Sequence, residues 1–287
     1  MKKLKVAVLM GGLSSEREVS LISGKGVLGN LNKDKYEVWE IDVPSELEKL
    51  KKIKPDLAFI ALHGKGGEDG MIQGYLDTLG IKYTGSGVFA SAIGMNKKIL
   101  RMIAEKNNFL IPNETTKVPC VVKPTKGGSS LGVTIVKKQN ELKMAIEEAK
   151  KYDDEIIIEE YIAGIEVSCG ILGDLVLPVI EITPKNYFFD YEAKYKKGMS
   201  EEICPARLSD KITIKIQTET KRIFETIGGR GYARVDFIVK NNKIYLLEIN
   251  TLPGLTPDSL LPKEAKAIGL SYSQMLDKII ELALKNK

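Results

Sequence analysis

The chain has 287 residues, more than a single hydrophobic core usually organises, so two or three domains are expected. It is 43% hydrophobic and 28% charged, the balance of a folded soluble protein rather than a disordered one. The net charge of +5 comes from interleaved Lys and Glu, which argues against a nucleic-acid surface, and no window approaches the ~20 apolar residues of a membrane helix. Cys120, Cys169 and Cys204 form no metal or redox spacing and read as reduced thiols of a cytoplasmic protein.

Leu4 to Met10 is a buried-type strand rather than a signal peptide, because glycines and no cleavage site follow it. Ser15 and Glu18 have capping-box spacing for a helix running to about Leu31. Tyr36 to Ile41 and Asp56 to Leu62 are further strands, with a short helix at Ser45 to Lys52 between them. This alternation implies an open parallel α/β sheet with function at the carboxyl ends of its strands. Gly11 to Glu16 and His63 to Gly70 lie there. His63 is the one histidine and opens a loop with four glycines, so a ligand contact is favoured over a structural role. Glu16 suits either a helix start or a substrate ammonium. Gly24 to Gly29 matches GxGxxG, yet it lies inside the helical segment and not directly after a strand, which discounts a dinucleotide site.

Asn96 to Asn107 is helical. Val118 to Lys123 and Gly132 to Lys137 are strands flanking Pro124 to Ser130, a Gly-Ser-Lys loop able to fold over phosphates. Lys123 ends a hydrophobic strand, where an unpaired ammonium is costly. An amphipathic helix at Glu141 to Lys151 precedes strands at Ile156 to Glu160 and Ile165 to Leu172. Glu160 and Ile162 are able to offer backbone groups to a purine edge and Glu166 to meet ribose hydroxyls, the alternative being a plain connector with solvent-facing carboxylates. Periodicity stops from Thr183 to Arg207, the length of a lid or binding loop. Helices follow at Ile212 to Ile227 and Ser271 to Lys285.

Tyr232 to Val239 and Lys243 to Ile249 form a hairpin. With a three-residue loop, Val235, Phe237 and Val239 face Ile249, Leu247 and Tyr245 on a core side. Asp236 then faces Glu248, and Arg234 faces Asn250, on the other side. A two-residue turn instead pairs Asp236 with Leu247 and splits the cluster, since one residue of slip flips every side chain. Opposed carboxylates repel unless a cation lies between them, and Asp236, Glu248 and Asn250 are the hard oxygen donors that Mg²⁺ takes.

The ordered motifs SSEREVS (Ser14 to Ser20), HGKGGEDG (His63 to Gly70), VKPTKGGSSLGV (Val122 to Val133), FDYEAKY (Phe189 to Tyr195), CPA (Cys204 to Ala206), ARVDF and LLEINTLPGLT span nearly the whole chain. Together they resemble the D-alanine–D-alanine ligase family of the ATP-grasp superfamily. The resemblance implies an α/β and α+β ATP-grasp fold: an N-terminal parallel α/β domain over 1–94, then central (95–180) and C-terminal (181–287) domains whose antiparallel sheets hold ATP. It also implies ATP-dependent ligation of two D-alanines through an acyl phosphate for peptidoglycan, with Mg²⁺ or Mn²⁺, two ions, and a homodimer. Under it, Asp236 and Glu248 must share a face, which selects the three-residue or bulged turn at Asn241 to Lys243.

Residue by residue, Lys97, Lys123 and Lys194 match phosphate-binding lysines. Glu159, Glu160, Ile162 and Glu166 match adenosine contacts, Phe188 the ring over adenine, and Leu247 a further ATP contact. Asp236, Glu248 and Asn250 match the metal ligands, and Arg234 with the Gly254 N–H the oxyanion donors. Glu16 and His63 match the first D-alanine site, and Ser259 and Leu260 that of the second D-alanine's carboxylate. Glu16, Ser129 and Tyr195 match the trio that shuts the lid. Pro112 to Lys123 is shorter than the family pattern and lacks an expected helix, and Asp258 stands where the family often has His. The competing readings are another ATP-grasp carboxylate–amine ligase, a nucleotide-sensing module without turnover, and an NAD enzyme resting on the misplaced GxGxxG.

Overall fold

A computed structural model of the chain describes residues 2–184 and 200–285. The first sheet contains β1 (Leu4–Gly11), β2 (Tyr36–Val43), β3 (Leu57–Ile60) and β4 (Lys82–Tyr83). Its order is β2-β1-β3-β4 and every pairing is parallel. The apolar runs VAVLM and LAFI explain the two inner strands: Val6 to Met10 and Leu57 to Ile60 are almost wholly buried.

Helix α1 (Arg17–Asn30) begins one residue later than expected, with Glu16 rather than Ser15 at the N-cap position, and the Ser15–Glu18 capping box does not form. Ser14 does the local work: its hydroxyl donates to the His63 carbonyl at 2.7 Å and accepts from the Glu16 N–H at 3.2 Å. Of the three GxGxxG glycines, Gly24 is a packing residue, whereas a Cβ on Gly29 would meet nothing within 4 Å. A Cβ on Gly24 would lie 2.7 Å from Met10, so its absence lets α1 approach β1. After α2 (Lys49–Ile53), two helices unforeseen in the sequence follow, α3 (Met71–Thr78) and α4 (Val88–Met95). Each has eight residues, too few turns for periodicity to stand out from a loop.

Helix α5 (Lys97–Lys106) starts at Asn96, whose side chain accepts from the backbone of Lys98 and Ile99. The next sheet, β6-β5-β7, is antiparallel and built from β5 (Cys120–Pro124), β6 (Thr134–Val136) and β7 (Ile156–Glu160). Helix α6 (Leu142–Ala149) covers it through Ala145 and Ala149. The shortened segment before β5 contributes here. Glu114 bridges Glu159, Thr115 N–H donates to Ile158 O at 3.1 Å, and Glu160 N–H to Asn113 O at 2.8 Å. A few extended residues thus satisfy the outer edge of β7.

The largest sheet runs β11-β10-β8-β12-β13, with β9 beside β8. Its strands are β8 (Ile165–Leu172), β9 (Leu175–Val176), β10 (Ile180–Pro184), β11 (Ser200–Ile203), β12 (Tyr232–Lys240) and β13 (Lys243–Asn250). Helix α7 (Asp210–Thr226) buries Ile212, Ile216, Ile223 and Phe224 in the core that α5 and this sheet share. A third unforeseen helix, α8 (Leu260–Ala267), precedes α9 (Tyr272–Lys285). The α9 face of Met275, Leu276, Ile279 and Ile280 packs into the core of the first sheet, so the chain's end returns to its beginning.

The β12–β13 hairpin corrects the expected turn. Asn241 and Asn242 both have positive φ, 50° and 61°, and form a two-residue connection, Lys240 pairing with Lys243. From there Val239 pairs with Ile244, Ile238 with Tyr245 and Phe237 with Leu246. A bulge after Phe237 inserts Leu247, and the register resumes with Asp236 opposite Glu248 and Arg234 opposite Asn250. The core face of β13 is therefore Ile244, Leu246 and Ile249, not Tyr245 and Leu247. The bulge lets Leu247 and Glu248, adjacent in sequence, both line the cavity side.

Candidate active site

Two cavities meet along the hairpin. The larger, about 390 Å³, lies between the β5–β7 sheet and the β8–β13 sheet. Its apolar walls include Val121, Ile135, Ile162, Ile238 and Leu247. Glu160 and Glu166 stand at the same wall, Lys97 and Lys123 elsewhere on the lining, and Asp236 and Glu248 complete it. The smaller cavity, about 90 Å³, is lined by Glu16, His63, Ser129, Arg234, Asn250, Gly254, Ser259 and Leu260, among others. Lys97, Gly127, Gly128 and Glu248 belong to both. Every sequence-derived site residue among those described lines one cavity or the other. Phe188, Lys194 and Tyr195 lie outside the described residues.

Lys97 begins α5. Its ammonium donates to Gly127 O at 2.8 Å and lies 3.3 Å from Glu248. It thus ties the glycine loop to the hairpin. Lys123 is 8% exposed and donates to Glu159. Glu159, expected among adenosine contacts, holds Lys123 on one carboxylate oxygen and Arg101 on the other, the latter at 3.1 Å. Glu160 accepts from the backbone N–H and side-chain amide of Asn113, at 2.9 and 2.6 Å. Glu181, also on the wall, is paired with Arg207, whose hydrogen bonds hold its carboxyl below the usual carboxylate range.

Arg234 is clamped by Asp236, with Nε 2.9 Å from Oδ1 and Nη2 2.8 Å from Oδ2. Burial pulls the guanidinium pKa down, but the Asp236 charge and hydrogen bonds outweigh it and the net shift is upward. Ser168, opposite Asp236 on β8, also donates to that carboxylate. Strand alternation from Glu166 puts Ser168 on the cavity face, a signal that sequence reading passed over. Asp236, Glu248 and Asn250 supply two carboxylates and one amide oxygen on consecutive site-facing positions. Among the described residues no group of three or more His, Cys, Asp or Glu is arranged to hold a metal ion by itself. Carboxylates keep lone pairs beyond those used by Arg234, Ser168 and Lys97, so the donor set fits a hard divalent ion completed by phosphate oxygens.

In the smaller cavity Glu16 accepts a hydrogen bond from Ser129 of the glycine loop. A Cβ on Gly128 would lie 3.3 Å from the Glu16 carboxylate, so glycine gives the loop room to reach it. His63 is 6% exposed, with Nε2 3.0 Å from Ser23 Oγ and Nδ1 3.4 Å from Glu68. Both nitrogens are engaged, so the ring borders the cavity as a fixed wall. Ser259 is the N-cap position of α8, and its hydroxyl lies 2.8 Å from that of Thr256. That helix start explains why Ser259 and Leu260 suit an anion: unsatisfied N–H groups and the helix dipole converge there. Asp258 is exposed at the rim.

The model of the D-ala D-ala ligase C-terminus matches residues 92–281, and that of the N-terminus matches 5–52 and 40–86. A D-alanine–D-alanine ligase of Halalkalibacterium halodurans is 44% identical, over 98% of this chain and 100% of that protein. One from Trichlorobacter lovleyi is 46% identical, over 97% and 95%. The crystal structure of a Bacillus anthracis D-alanine–D-alanine ligase complexed with ATP superposes with a TM-score of 0.88 at 38% identity, covering 99% and 98%. A D-Ala:D-Ser ligase from Enterococcus faecalis gives 0.84 at 32%, over 98% and 100%. Together with the two-cavity geometry, these matches decide between the wider superfamily and one branch of it: the chain belongs to the D-alanine–D-alanine ligase family.

Proposed function

We propose that the chain joins two D-alanine molecules into D-alanyl-D-alanine, the peptidoglycan building unit, converting ATP to ADP and phosphate. The observation that carries the reading is the shared border of the cavities at Lys97, Gly127, Gly128 and Glu248. A nucleotide in the larger cavity directs its γ-phosphate at that border, and an amino acid in the smaller one presents its carboxylate to the same place. Holding both reactants at one border converts a bimolecular encounter into an intramolecular one.

In this reading adenine lies against Ile162, Ile238 and Leu247, with Glu166 at the ribose. Lys97 and Lys123, together with Lys194, hold the phosphates. Asp236, Glu248 and Asn250 would hold Mg²⁺ or Mn²⁺, two ions, and the metal supplies charge neutralisation on β- and γ-phosphate oxygens. Glu16 receives the ammonium of the first D-alanine beside His63. The carboxylate of that D-alanine attacks the γ-phosphate to give an acyl phosphate and ADP. Ser259 and Leu260 hold the carboxylate of the second D-alanine at the start of α8. The amine of that D-alanine attacks the acyl carbonyl, phosphate leaves, and Arg234 and the Gly254 N–H stabilise the oxyanion between these events. Ser129, Glu16 and Tyr195 close the site, and exclusion of water protects the acyl phosphate.

The reading includes a homodimer and a cytoplasmic location. No helix among the described residues is long and apolar enough to cross a membrane. The assignment of the two amino-acid subsites is tested by steady-state kinetics at varied D-alanine. Glu16→Gln is expected to raise the KM of the first D-alanine and Ser259→Ala that of the second. Equal effects of both changes on both constants would overturn the assignment.

A further inference from the structure

The nucleotide cavity has a buried charge behind its wall that the proposed chemistry leaves unused. Arg101 lies on α5, one turn after Lys97, and is 9% exposed. Its Nη1 donates to Glu159 Oε2 at 3.1 Å and to Pro112 O at 2.8 Å. Glu159, 3% exposed, gives its other oxygen to Lys123. One carboxylate is thus shared between two cations, and one of these reaches the cavity. We propose that Arg101 is a positioning residue for ATP binding: it occupies half of Glu159 so that Lys123 stays aimed at, and attractive to, phosphate. The inference rests on the nucleotide reading of the larger cavity.

Lys123 paired with Glu159 alone would be a neutral buried pair with little pull on an anion. Arg101 returns the buried trio to a net single positive charge. The other acids facing Arg101 are Glu105, 3.7 Å from Nη2, and Glu114, 3.5 Å from Nε. Both are largely exposed, so water screens them and they offset Arg101 only weakly. The Pro112 carbonyl comes from the shortened segment before β5, which also bridges β7 through Glu114 and carries Glu160 through Asn113. That segment therefore fixes Arg101 and the nucleotide-side carboxylates together. Sequence alone gave no sign of it, because Arg101 reads as an ordinary cation on an amphipathic helix.

The test uses the full chain with ATP, Mg²⁺ and D-alanine, in the variants Arg101→Gln, Arg101→Lys, Glu159→Gln and the Arg101→Gln/Glu159→Gln double. Glutamine keeps a donor for Pro112 O and removes the charge, and thermal melting reports whether each variant is folded. Arg101→Gln is expected to raise the KM for ATP about tenfold, with the D-alanine constants within about twofold. Arg101→Lys is expected to recover most of the loss. In the Glu159→Gln background, Arg101→Gln is expected to add less than about twofold, because its partner charge is already gone. An unchanged KM for ATP in Arg101→Gln overturns the inference, as does a full additive effect in the double variant. Absence of D-alanine-dependent ADP release in the unaltered chain would instead remove the functional reading beneath it.

Discussion

Asp236 lies directly opposite Glu248 across the β12–β13 ladder, and the single inserted residue between Leu246 and Glu248 is what puts it there. Asp236 is already bound by Arg234 and Ser168, so removing it strands a buried guanidinium, which costs about 3–5 kcal/mol and confuses fold with function. Glu248 is the cleaner probe. Its side chain is 28% exposed and its carboxylate lies 3.3 Å from Lys97. Glu248→Gln is expected to lower kcat on the order of 10²-fold while the melting temperature stays within a few degrees. Near-normal turnover would mean that the hairpin carboxylates are not the metal site.

Leu247 is the bulged residue and lines the nucleotide cavity beside Ile238. In the proposed function adenine lies against Leu247, so Leu247→Ala removes apolar surface from that contact, at about 0.8 kcal/mol per buried methylene. The KM for ATP is expected to rise about tenfold with little change in kcat, since the contact is equal in ground and transition states. A drop in kcat alone would show that the bulge serves the chemistry rather than the binding.

The two-residue turn has its own prediction. Asn241 and Asn242 hold positive φ, which asparagine tolerates and β-branched residues do not. Asn242→Gly is expected to leave stability equal or slightly higher. Asn241→Val is expected to cost about 1–2 kcal/mol by denaturant unfolding. No loss in Asn241→Val would contradict the left-handed backbone at that position.

These residues also show where the sequence was legible. Alternation along 232–249 is enough to find the hairpin, but it leaves the register open, and only the family resemblance selects one face for Asp236 and Glu248. The place of the irregularity is not written in alternation, since a loop of three residues and a bulge six residues away give the same far-end register. Buried strands such as Val6 to Met10 announce themselves because sheet burial on both faces needs continuous apolar runs. The helices α3, α4 and α8 do not, because two turns with a glycine or proline give no usable period. Motif residues that line the two cavities were readable from their types and order. The partners that hold them, Arg101, Asn113, Ser168 and Glu68, come from distant segments brought together only by the fold.

The Glu181–Arg207 pair predicts a pH dependence of stability. Hydrogen bonds from Arg207 lower the folded pKa of Glu181 below its unfolded value, near 4.3 for a free glutamate. A lowered carboxyl pKa stabilises the fold fully above that unfolded value, and the contribution is lost as pH falls through the folded one. Arg207→Met should therefore melt below the unaltered chain at pH 7, with the gap closing under about pH 4. A gap that widens on acidification would contradict the pairing.

In the proposed reaction the carboxylate of one D-alanine meets the γ-phosphate of ATP where the two cavities join, at Lys97 and Glu248. The most direct measurement supplies D-alanine labelled with ¹⁸O in its carboxylate, with ATP and Mg²⁺, and follows the phosphate released. Attack by that carboxylate, followed by displacement at the acyl carbon, leaves one labelled oxygen in the phosphate for each dipeptide and ADP formed. Unlabelled phosphate, or AMP in place of ADP, would contradict the account.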